Sequence, residues 1–166
     1  MSASVCSAKI SKTNAARLLD SKGLVYRLLS FTPPKDDLSA QTAAALLNIE
    51  EETVYKTLIL KGDQTGLLAA CIPSSSEVNL KALSAALSNN RSVALVATKE
   101  LFALTGYRRG GCSPLGLKKP CPIFFHSQVL KLENVAVNAG SIGLMLFLNP
   151  NDLIKAISAV TADITV

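Results

Sequence analysis

Two short stretches of the chain carry residue types that could do chemistry. The first runs from Thr105 to Gly116 and holds four of the nine glycines, together with the adjacent pair Arg108 and Arg109. Because glycine lacks a Cβ atom, such a segment can adopt positive φ and leave backbone N–H groups to meet an anion or a carbonyl oxygen. The segment fits neither a nucleotide P-loop nor a dinucleotide G-x-G-x-x-G pattern. An ordinary glycine-rich connection with a Ser-Pro turn is the structural alternative.

The second stretch is Val54 to Leu60, whose β-branched and aromatic residues predict a strand that ends in a turn over residues 61–66. Because side chains alternate between the two faces of a strand, Lys56 shares a face with three apolar residues and is its only polar member. Burying an ammonium without a partner costs free energy. The amine therefore either reaches past its apolar neighbours to water or lines a cleft that receives an anionic partner.

Taken together, these stretches resemble the YbaK family of aminoacyl-tRNA deacylases, which is related to the editing domain of bacterial prolyl-tRNA synthetases. The resemblance extends over nearly the whole chain, from about Thr13 to Ile164. The sequences that carry it are Val54-Tyr55-Lys56-Thr57-Leu58, Gly106-Tyr107-x-x-Gly110-Gly111-x-Ser113-Pro114-x-Gly116 and Val137-Asn138-Ala139-Gly140-x-x-Gly143-Leu144.

The resemblance implies a function in translation fidelity. The expected substrate is a mischarged aminoacyl-tRNA, above all Cys-tRNA(Pro), whose ester to the terminal ribose is cleaved in trans. Lys56 is the implied catalytic residue, and no cofactor or metal is called for. The implied partners are the acceptor end of the mischarged tRNA and prolyl-tRNA synthetase, with no DNA and no membrane. The implied substrate-binding residues are Phe31, Tyr55, Thr57, Gly106, Tyr107, Gly110, Gly111, Ser113, Pro114, Gly140 and Gly143.

An ester is weaker than an amide, so positioning and backbone donors for the developing oxyanion could suffice without an elaborate nucleophile. The backbone at Gly110 and Gly111 is expected to supply such donors. The family reading also implies a substrate-assisted route, in which the thiol of the esterified cysteine attacks its own carbonyl. That route is consistent with the absence of an evident Ser-His-Asp or Cys-His set.

Positive charge is concentrated around the glycine-rich segment. The formal net charge is +5, and residues 101–132 contain no Asp or Glu. A local positive field attracts phosphates, which favours contact with an RNA end or backbone over sequence readout. With 5% aromatic residues and no Trp, the chain is poorly suited to stacking many bases. The candidates for RNA contacts are Arg108, Arg109, Lys118 and Lys119.

The four cysteines offer little independent chemistry. They form no C-x-x-C pair and His126 is the only histidine, so a zinc site is not indicated. No secretory signal is recognisable, so a disulfide framework is not expected. A nucleophilic pair of Cys112 with His126 is possible, but no residue that would orient the histidine is evident. His126 is otherwise expected to be structural or exposed.

The apolar periodicity predicts an α+β domain around a mixed, curved, barrel-like sheet with surrounding helices. Helices are expected over residues 13–23, 39–47, 80–87 and 98–104 and from residue 149 or 151 to 158. Strands are expected over residues 24–31, 54–60, 67–72, 92–97, 122–126, 135–138 and 144–148, with 92–97 buried. The second and third strands form a hairpin, as do the last two around residues 139–143. The expected helix N-caps are Thr13, Ser39, Thr98 and either Asn149 or Asn151.

A length of 166 residues suits one domain. We expect a flexible lead over residues 1–12 and a single editing-type domain over 13–166. No apolar run is long enough to cross a bilayer, so a soluble cytoplasmic protein is expected.

Three positions depart from the family pattern. Ile142 stands where a basic residue is frequent, Met145 where an acidic residue is frequent, and Phe31 where tyrosine is frequent. Each departure removes a polar group from the implied pocket, so alanine or another small aminoacyl group stays open as the substrate. A non-catalytic module that binds tRNA or the synthetase is the other alternative. Retention of Lys56 and of the full glycine motif argues against it, and a deacylation assay separates the two.

Overall fold

The computed structural model describes residues 12–87 and 90–166, and within these ranges eight strands form two sheets. The strands are β1 Arg27–Ser30, β2 Tyr55–Gly62, β3 Gly66–Pro73, β4 Val93–Leu95, β5 Ile123–His126, β6 Val135–Ser141, β7 Leu144–Leu148 and β8 Val160–Ala162. The α-helices are α1 Asn14–Ser21, α2 Ala40–Leu47, α3 Leu80–Ala86, α4 Thr98–Thr105 and α5 Pro150–Ile157. Two short 3₁₀ helices span Glu51–Thr53 and Ser127–Lys131.

The sheets combine antiparallel and parallel pairs. One sheet has the antiparallel order β1-β7-β6, and the other has the order β4-β2-β3-β5-β8, in which β5 runs parallel to both β3 and β8. A parallel bridge between Val54 and Ala136 joins the two sheets where β2 begins. The predicted α+β class with a mixed, curved sheet is confirmed, and the sheets keep open edges at β4 and β8.

Strand β2 has apolar clusters on both faces, and these clusters set the position of Lys56. On one face, Tyr55 and Ile59 pack into the largest core cluster. On the opposite face, Val54 packs with α2, whereas Leu58 packs with the cluster that includes α3. Lys56 lies between Val54 and Leu58 on that second face. Its side chain therefore emerges between two apolar clusters rather than inside either of them.

Most of the N-cap residues predicted from the sequence are confirmed. The side chains of Thr13, Ser39 and Asn149 accept hydrogen bonds from the first-turn amides of α1, α2 and α5. The prediction that Thr98 caps α4 is wrong: Ala97 precedes the helix, and no side chain caps it. Gly106 ends α4 in the left-handed conformation, with φ of +80°, as expected.

Several predicted boundaries change, and one environment was predicted wrongly. Residues 92–97 do not form a buried strand: β4 is a short edge strand in which only Val93 is buried, because β2 alone pairs with it. Strand β1 starts three residues later than predicted, at Arg27. Strand β6 extends to Ser141, so the glycine-rich hairpin turn shrinks to Ile142 and Gly143, with a register shift between residues 138 and 141. Strand β8 was not predicted.

The two predicted hairpins are confirmed. Strands β2 and β3 pair along their full length, and β6 pairs with β7. The predicted lead over residues 1–12 lies outside the described residues except for Lys12, whose amine donates to Asp20 at 2.7 Å. Within the described part of the chain, no helix is both long and apolar enough to cross a membrane.

Gly143 occupies a hairpin position that excludes a side chain. Its φ is +82°, and a Cβ atom there would lie far inside van der Waals contact with the carbonyl oxygen of Phe31. We expect Gly143→Ala to lower the free energy of unfolding by about 2–4 kcal/mol, because the left-handed backbone costs about 1–2 kcal/mol and displacing the Phe31 backbone adds the rest. Urea denaturation of the purified variant measures this loss.

Gly66→Ala is the matched control for this substitution. Gly66 also has a positive φ, +75°, but no atom lies within 4 Å of an added Cβ. Gly66→Ala should therefore lose only the backbone part, about 1–2 kcal/mol. Equal losses in the two variants would contradict the close approach of Phe31 to Gly143.

Candidate active site

A cleft of about 880 Å³ opens where the first half of β2 faces α2, α4 and the glycine-rich segment 105–116. Lys56 lies on its wall and is half-buried. Among the described residues, the one ion pair closer than 4 Å joins Lys12 and Asp20, so the Lys56 ammonium has no carboxylate partner. Of the two alternatives for Lys56, the structure places it on a cleft, where the ammonium can meet an anionic group.

The charges around the cleft are mixed. Lys35 and Arg109 line it together with Lys56, and Asp36 and Asp37 lie on the same rim. The hydroxyl of Thr42 and the amide of Ser39 donate to Asp37, and these hydrogen bonds hold the pKa of its carboxyl below the usual value. Asp37 is therefore an ionised, hydrogen-bonded anchor of the α2 N-terminus rather than a poised general base.

One end of the cleft is apolar and is formed by residues of a single apolar cluster. Phe31, Ala40, Ala43 and Met145 line it, and Met145 is only 4% exposed. Tyr55 also faces the cleft, and burial raises the pKa of its phenol to about 12, so the hydroxyl is neutral at physiological pH. Ile142 does not line the cleft and is exposed on the hairpin turn. Of the two departures in this hairpin, only that at Met145 changes the cleft wall.

Tyr107 fixes the glycine-rich segment against β6. Its hydroxyl donates to the carbonyl oxygen of Leu115, and its ring lies over Gly140, where a Cβ atom would approach a ring carbon to 2.7 Å. The hydroxyl oxygen is also 3.0 Å from where a Cβ on Gly116 would be. Gly116 and Gly140 therefore make room for the tyrosine, and the tyrosine holds the segment in place.

The backbone amides of this segment differ in their hydrogen bonding. Gly111 donates its N–H to the carbonyl oxygen of Arg108 at 2.9 Å, so the expectation that Gly111 offers a donor to a ligand is wrong. In the described part of the chain, no acceptor meets the amides of Gly110 and Cys112, and both residues line the cleft. Residues 110 and 112 therefore have amides without an acceptor among the described residues, as does Arg109, which also lines the cleft.

Asn138 links the glycine-rich segment to β6 and was not among the predicted contact residues. Its side-chain amide donates to the carbonyl oxygen of Gly110 at 2.9 Å, and its oxygen accepts from the Gly140 amide at 2.7 Å. Asn138 also lines the cleft. The signal was present in the sequence, because Asn138 is the one polar residue between the apolar positions Val137 and Ala139.

The Cys112–His126 pair does not form. The Nδ1 atom of His126 accepts from the amide of Ile164 at 3.3 Å, and its Nε2 atom lies 3.5 Å from the hydroxyl of Thr165. Burial raises the pKa of the Cys112 thiol to about 12, which leaves almost no thiolate at neutral pH. His126 is thus a buried structural residue, and Cys112 contributes its backbone and volume to the cleft.

The structure brings together six of the predicted site residues and separates the others. Those that line the cleft are Phe31, Tyr55, Lys56, Thr57, Arg109 and Gly110. Those that do not line it are Gly106, Tyr107, Arg108, Gly111, Ser113, Pro114, Lys118, Lys119, Gly140 and Gly143. Some residues of the second group have a structural role in the glycine-rich segment. Ser113, for example, is fully buried, and its hydroxyl accepts a hydrogen bond from the Leu115 amide at 3.2 Å.

The sequence matches known proteins over the same region. Residues 33–156 match the family model described as aminoacyl-tRNA editing domain. The chain is 37% identical over 154 residues to EbsC of Enterococcus faecalis, which is named as a candidate Cys-tRNA(Pro)/Cys-tRNA(Cys) deacylase. That alignment covers 93% of each protein.

Solved structures share the fold. The hypothetical protein APE2540 superposes with a TM-score of 0.84 at 28% identity, covering 93% of this chain and all of its own length. A candidate trans-editing enzyme for prolyl-tRNA synthetase superposes with a TM-score of 0.80 at 20% identity, covering 94% of this chain and 99% of its own. At 20% identity, the similarity to this candidate trans-editing enzyme is evidence for a shared fold only.

Proposed function

The chain belongs to the family of aminoacyl-tRNA editing domains, and from this membership we propose that it removes cysteine from tRNA(Pro) by cleaving the ester to the terminal ribose. The choice of cysteine is supported by the 37% identity to EbsC, whose name specifies Cys-tRNA(Pro) and Cys-tRNA(Cys). Residues 13–166 act as one editing domain in this proposal. Because the substrate belongs to translation, the proposed place of action is the cytoplasm, with prolyl-tRNA synthetase as the partner that supplies the mischarged tRNA.

The observation that carries the proposal is that, among the described residues, the unpaired Lys56 ammonium and unpaired backbone amides of the glycine-rich segment lie on the same cleft. Lys56 approaches from β2, and the amides of Gly110 and Cys112 belong to the glycine-rich segment. Cleavage of an ester develops negative charge on the carbonyl oxygen, and fixed N–H donors stabilise that charge. Lys56 then binds a phosphate or hydroxyl of the terminal adenosine, or the developing oxyanion itself.

The bond-breaking step uses the thiol of the substrate. Its sulfur attacks the carbonyl carbon of the same cysteine, a C–S bond forms, the C–O bond to the ribose breaks, and the thiol proton passes to the departing ribose oxygen. Water then opens the cyclic thioester to cysteine. This route suits the cleft because the Cys112 thiol is held protonated and His126 is engaged elsewhere.

The apolar end of the cleft supplies the size limit. Ala40 and Ala43 leave room for a short side chain, and Phe31 and Met145 give that end an apolar wall. A cysteine side chain fits such a wall at little desolvation cost, whereas a charged side chain would be penalised. Arg109, on the cleft, is the basic residue proposed to meet the tRNA end, and Lys118 and Lys119 contribute only to the surrounding positive field.

The test is hydrolysis of Cys-tRNA(Pro), Ala-tRNA(Pro) and Pro-tRNA(Pro) by the purified protein. We expect rapid loss of cysteine only, because alanine and proline offer no thiol. Loss of alanine at a comparable rate would replace the thiol-assisted route with direct attack by water. Binding of tRNA without loss of any aminoacyl group would identify a non-catalytic module.

Cys112→Ser provides a second test of the thiol-assisted route. The substitution keeps the backbone amide and nearly the volume of the side chain but removes the sulfur. We expect kcat/KM for Cys-tRNA(Pro) to stay within about threefold of the parent value, since a thiol with a pKa of about 12 is a poor nucleophile at neutral pH. A loss of about 100-fold, as for removal of a covalent nucleophile, would overturn the route.

A further inference from the structure

An exposed phenylalanine lies under an arginine on the outer side of the cleft, and the ester chemistry gives neither side chain a role. Phe102 is 52% exposed on α4. The guanidinium carbon of Arg108 lies 4.6 Å from the centroid of its ring, close enough for a cation–π contact. Two other residues of the same helix, Thr98 and Leu101, line the cleft. The stacked pair therefore belongs to the helix and turn that also supply the cleft-lining residues Thr98, Leu101 and Arg109.

The turn after α4 holds this pair in position. Gly106 adopts φ of +80° and its amide donates to the carbonyl oxygen of Phe102 at 2.8 Å, which reverses the chain and returns Arg108 over the ring. The hydroxyl of Thr105 accepts from the Tyr107 amide at 3.0 Å and donates to the carbonyl oxygen of Leu101 at 2.7 Å. The arginine is thus placed by a hydrogen-bonded turn rather than by a flexible loop.

Two adjacent arginines point to different places because of this turn. Arg108 lies on Phe102, outside the cleft, whereas Arg109 lines the cleft itself. A ligand that enters the cleft beside Arg109 and continues outward would next meet the Phe102–Arg108 pair. Residues 101–132, which carry Phe102, Arg108 and Arg109, contain no carboxylate side chain, so this segment itself presents only positive charge to a polyanion.

We propose that Phe102 and Arg108 form a stacking ledge for an unpaired nucleotide of the tRNA acceptor end, immediately before the nucleotide that carries the amino acid. This inference rests on the proposed function, which places the esterified nucleotide in the cleft. Aromatic rings and guanidinium planes both stack on splayed bases of single-stranded RNA, and the arginine keeps N–H groups for a phosphate. Bases already stacked in a duplex could not use such a ledge.

The test compares Cys-tRNA(Pro) with the cysteinyl ester of adenosine, which lacks the preceding nucleotides. Phe102→Ala and Arg108→Gln should each lower kcat/KM for Cys-tRNA(Pro) by about 10-fold, in the range for loss of one base–aromatic stack. Both variants should hydrolyse the adenosine ester at the parent rate. Fluorescence anisotropy with labelled, uncharged tRNA(Pro) should show the same weakening, which disappears when the unpaired 3′ nucleotides are trimmed from the tRNA.

Arg27→Gln is the matched control, because Arg27 also stacks on an aromatic ring, with its guanidinium carbon 5.8 Å from the Phe147 centroid, but does not line the cleft. Its activity and tRNA binding should equal those of the parent.

The outcomes separate the ledge from the proposed function. Normal tRNA binding by Phe102→Ala in an active protein would overturn the ledge alone. Phe102-dependent tRNA binding in a protein that cleaves no ester would overturn the deacylase and keep the ledge. Equal loss on tRNA and adenosine ester would overturn the ledge in favour of a structural role. If free tRNA binding is normal but binding to prolyl-tRNA synthetase is lost, the surface docks a protein and the ledge is wrong.

Discussion

Lys56→Ala is expected to lower kcat/KM for hydrolysis of Cys-tRNA(Pro) by about 100- to 1000-fold, the effect typical of removing one preorganised group that meets transition-state charge. The reason lies in the isolation of the amine. Lys56 is half-buried between two apolar clusters, and the described residues place no carboxylate within ion-pairing distance of it. Its charge is therefore available to the substrate. Single-turnover deacylation with labelled Cys-tRNA(Pro) measures the loss.

The fold should survive this substitution, since it removes an unpaired polar side chain from the wall of an open cleft and leaves no enclosed cavity. Lys56→Met separates the charge from the apolar stem and should be as inactive as Lys56→Ala. Lys61→Ala is the matched control: Lys61 lies on the same strand, is exposed and does not line the cleft. Its activity should equal that of the parent. Cleavage at the parent rate by folded Lys56→Ala would remove Lys56 from the mechanism.

The elements that were predicted correctly from the sequence are those determined by residues close together in the chain. The side-chain caps at Thr13, Ser39 and Asn149 form within one helical turn, and the β2–β3 hairpin follows from alternation on both sides of a short turn. The environment of β4 has no such local cause. Its apolar side chains predicted a buried strand, but Leu95 is 55% exposed and lines the cleft together with Val96. Apolar alternation alone does not distinguish a core from the wall of a binding site.

The candidate site shows the same division. Strand alternation identified Lys56 as an unusual polar residue, but only the separate packing of Val54 and Leu58 shows that it meets a cleft. The motif suggested donors at both Gly110 and Gly111. In the structure, the Gly111 amide already donates to the carbonyl oxygen of Arg108 and is not free for a ligand. Which amides remain available depends on how the segment folds back on itself, and that depends on contacts with β6 that no local pattern encodes.

Asn138→Asp tests that dependence on β6 with a change of one atom. The asparagine donates to the carbonyl oxygen of Gly110 at 2.9 Å and accepts from the amide of Gly140 at 2.7 Å. An ionised aspartate keeps the second hydrogen bond but sets a carboxylate oxygen against the Gly110 carbonyl. We expect the segment to move away from β6, displacing the donor amides of Gly110 and Cys112, and kcat/KM for Cys-tRNA(Pro) to fall by roughly 30-fold, because small misplacements of oxyanion donors are costly.

The pH dependence of this variant distinguishes the proposed cause from a general loss of packing. A protonated aspartate can again donate to Gly110, and the carbonyl oxygen beside it favours the protonated form, which raises the carboxyl pKa above its usual value of about 4. The deficit relative to the parent should therefore be full at neutral pH and shrink as the pH falls through that raised pKa. Asn138→Ala removes both hydrogen bonds and has no group to protonate, so its deficit should not change with pH. Parallel profiles for the two variants would mean that Asn138 acts by filling space, and that the amides of the glycine-rich segment are held in place by Tyr107 alone.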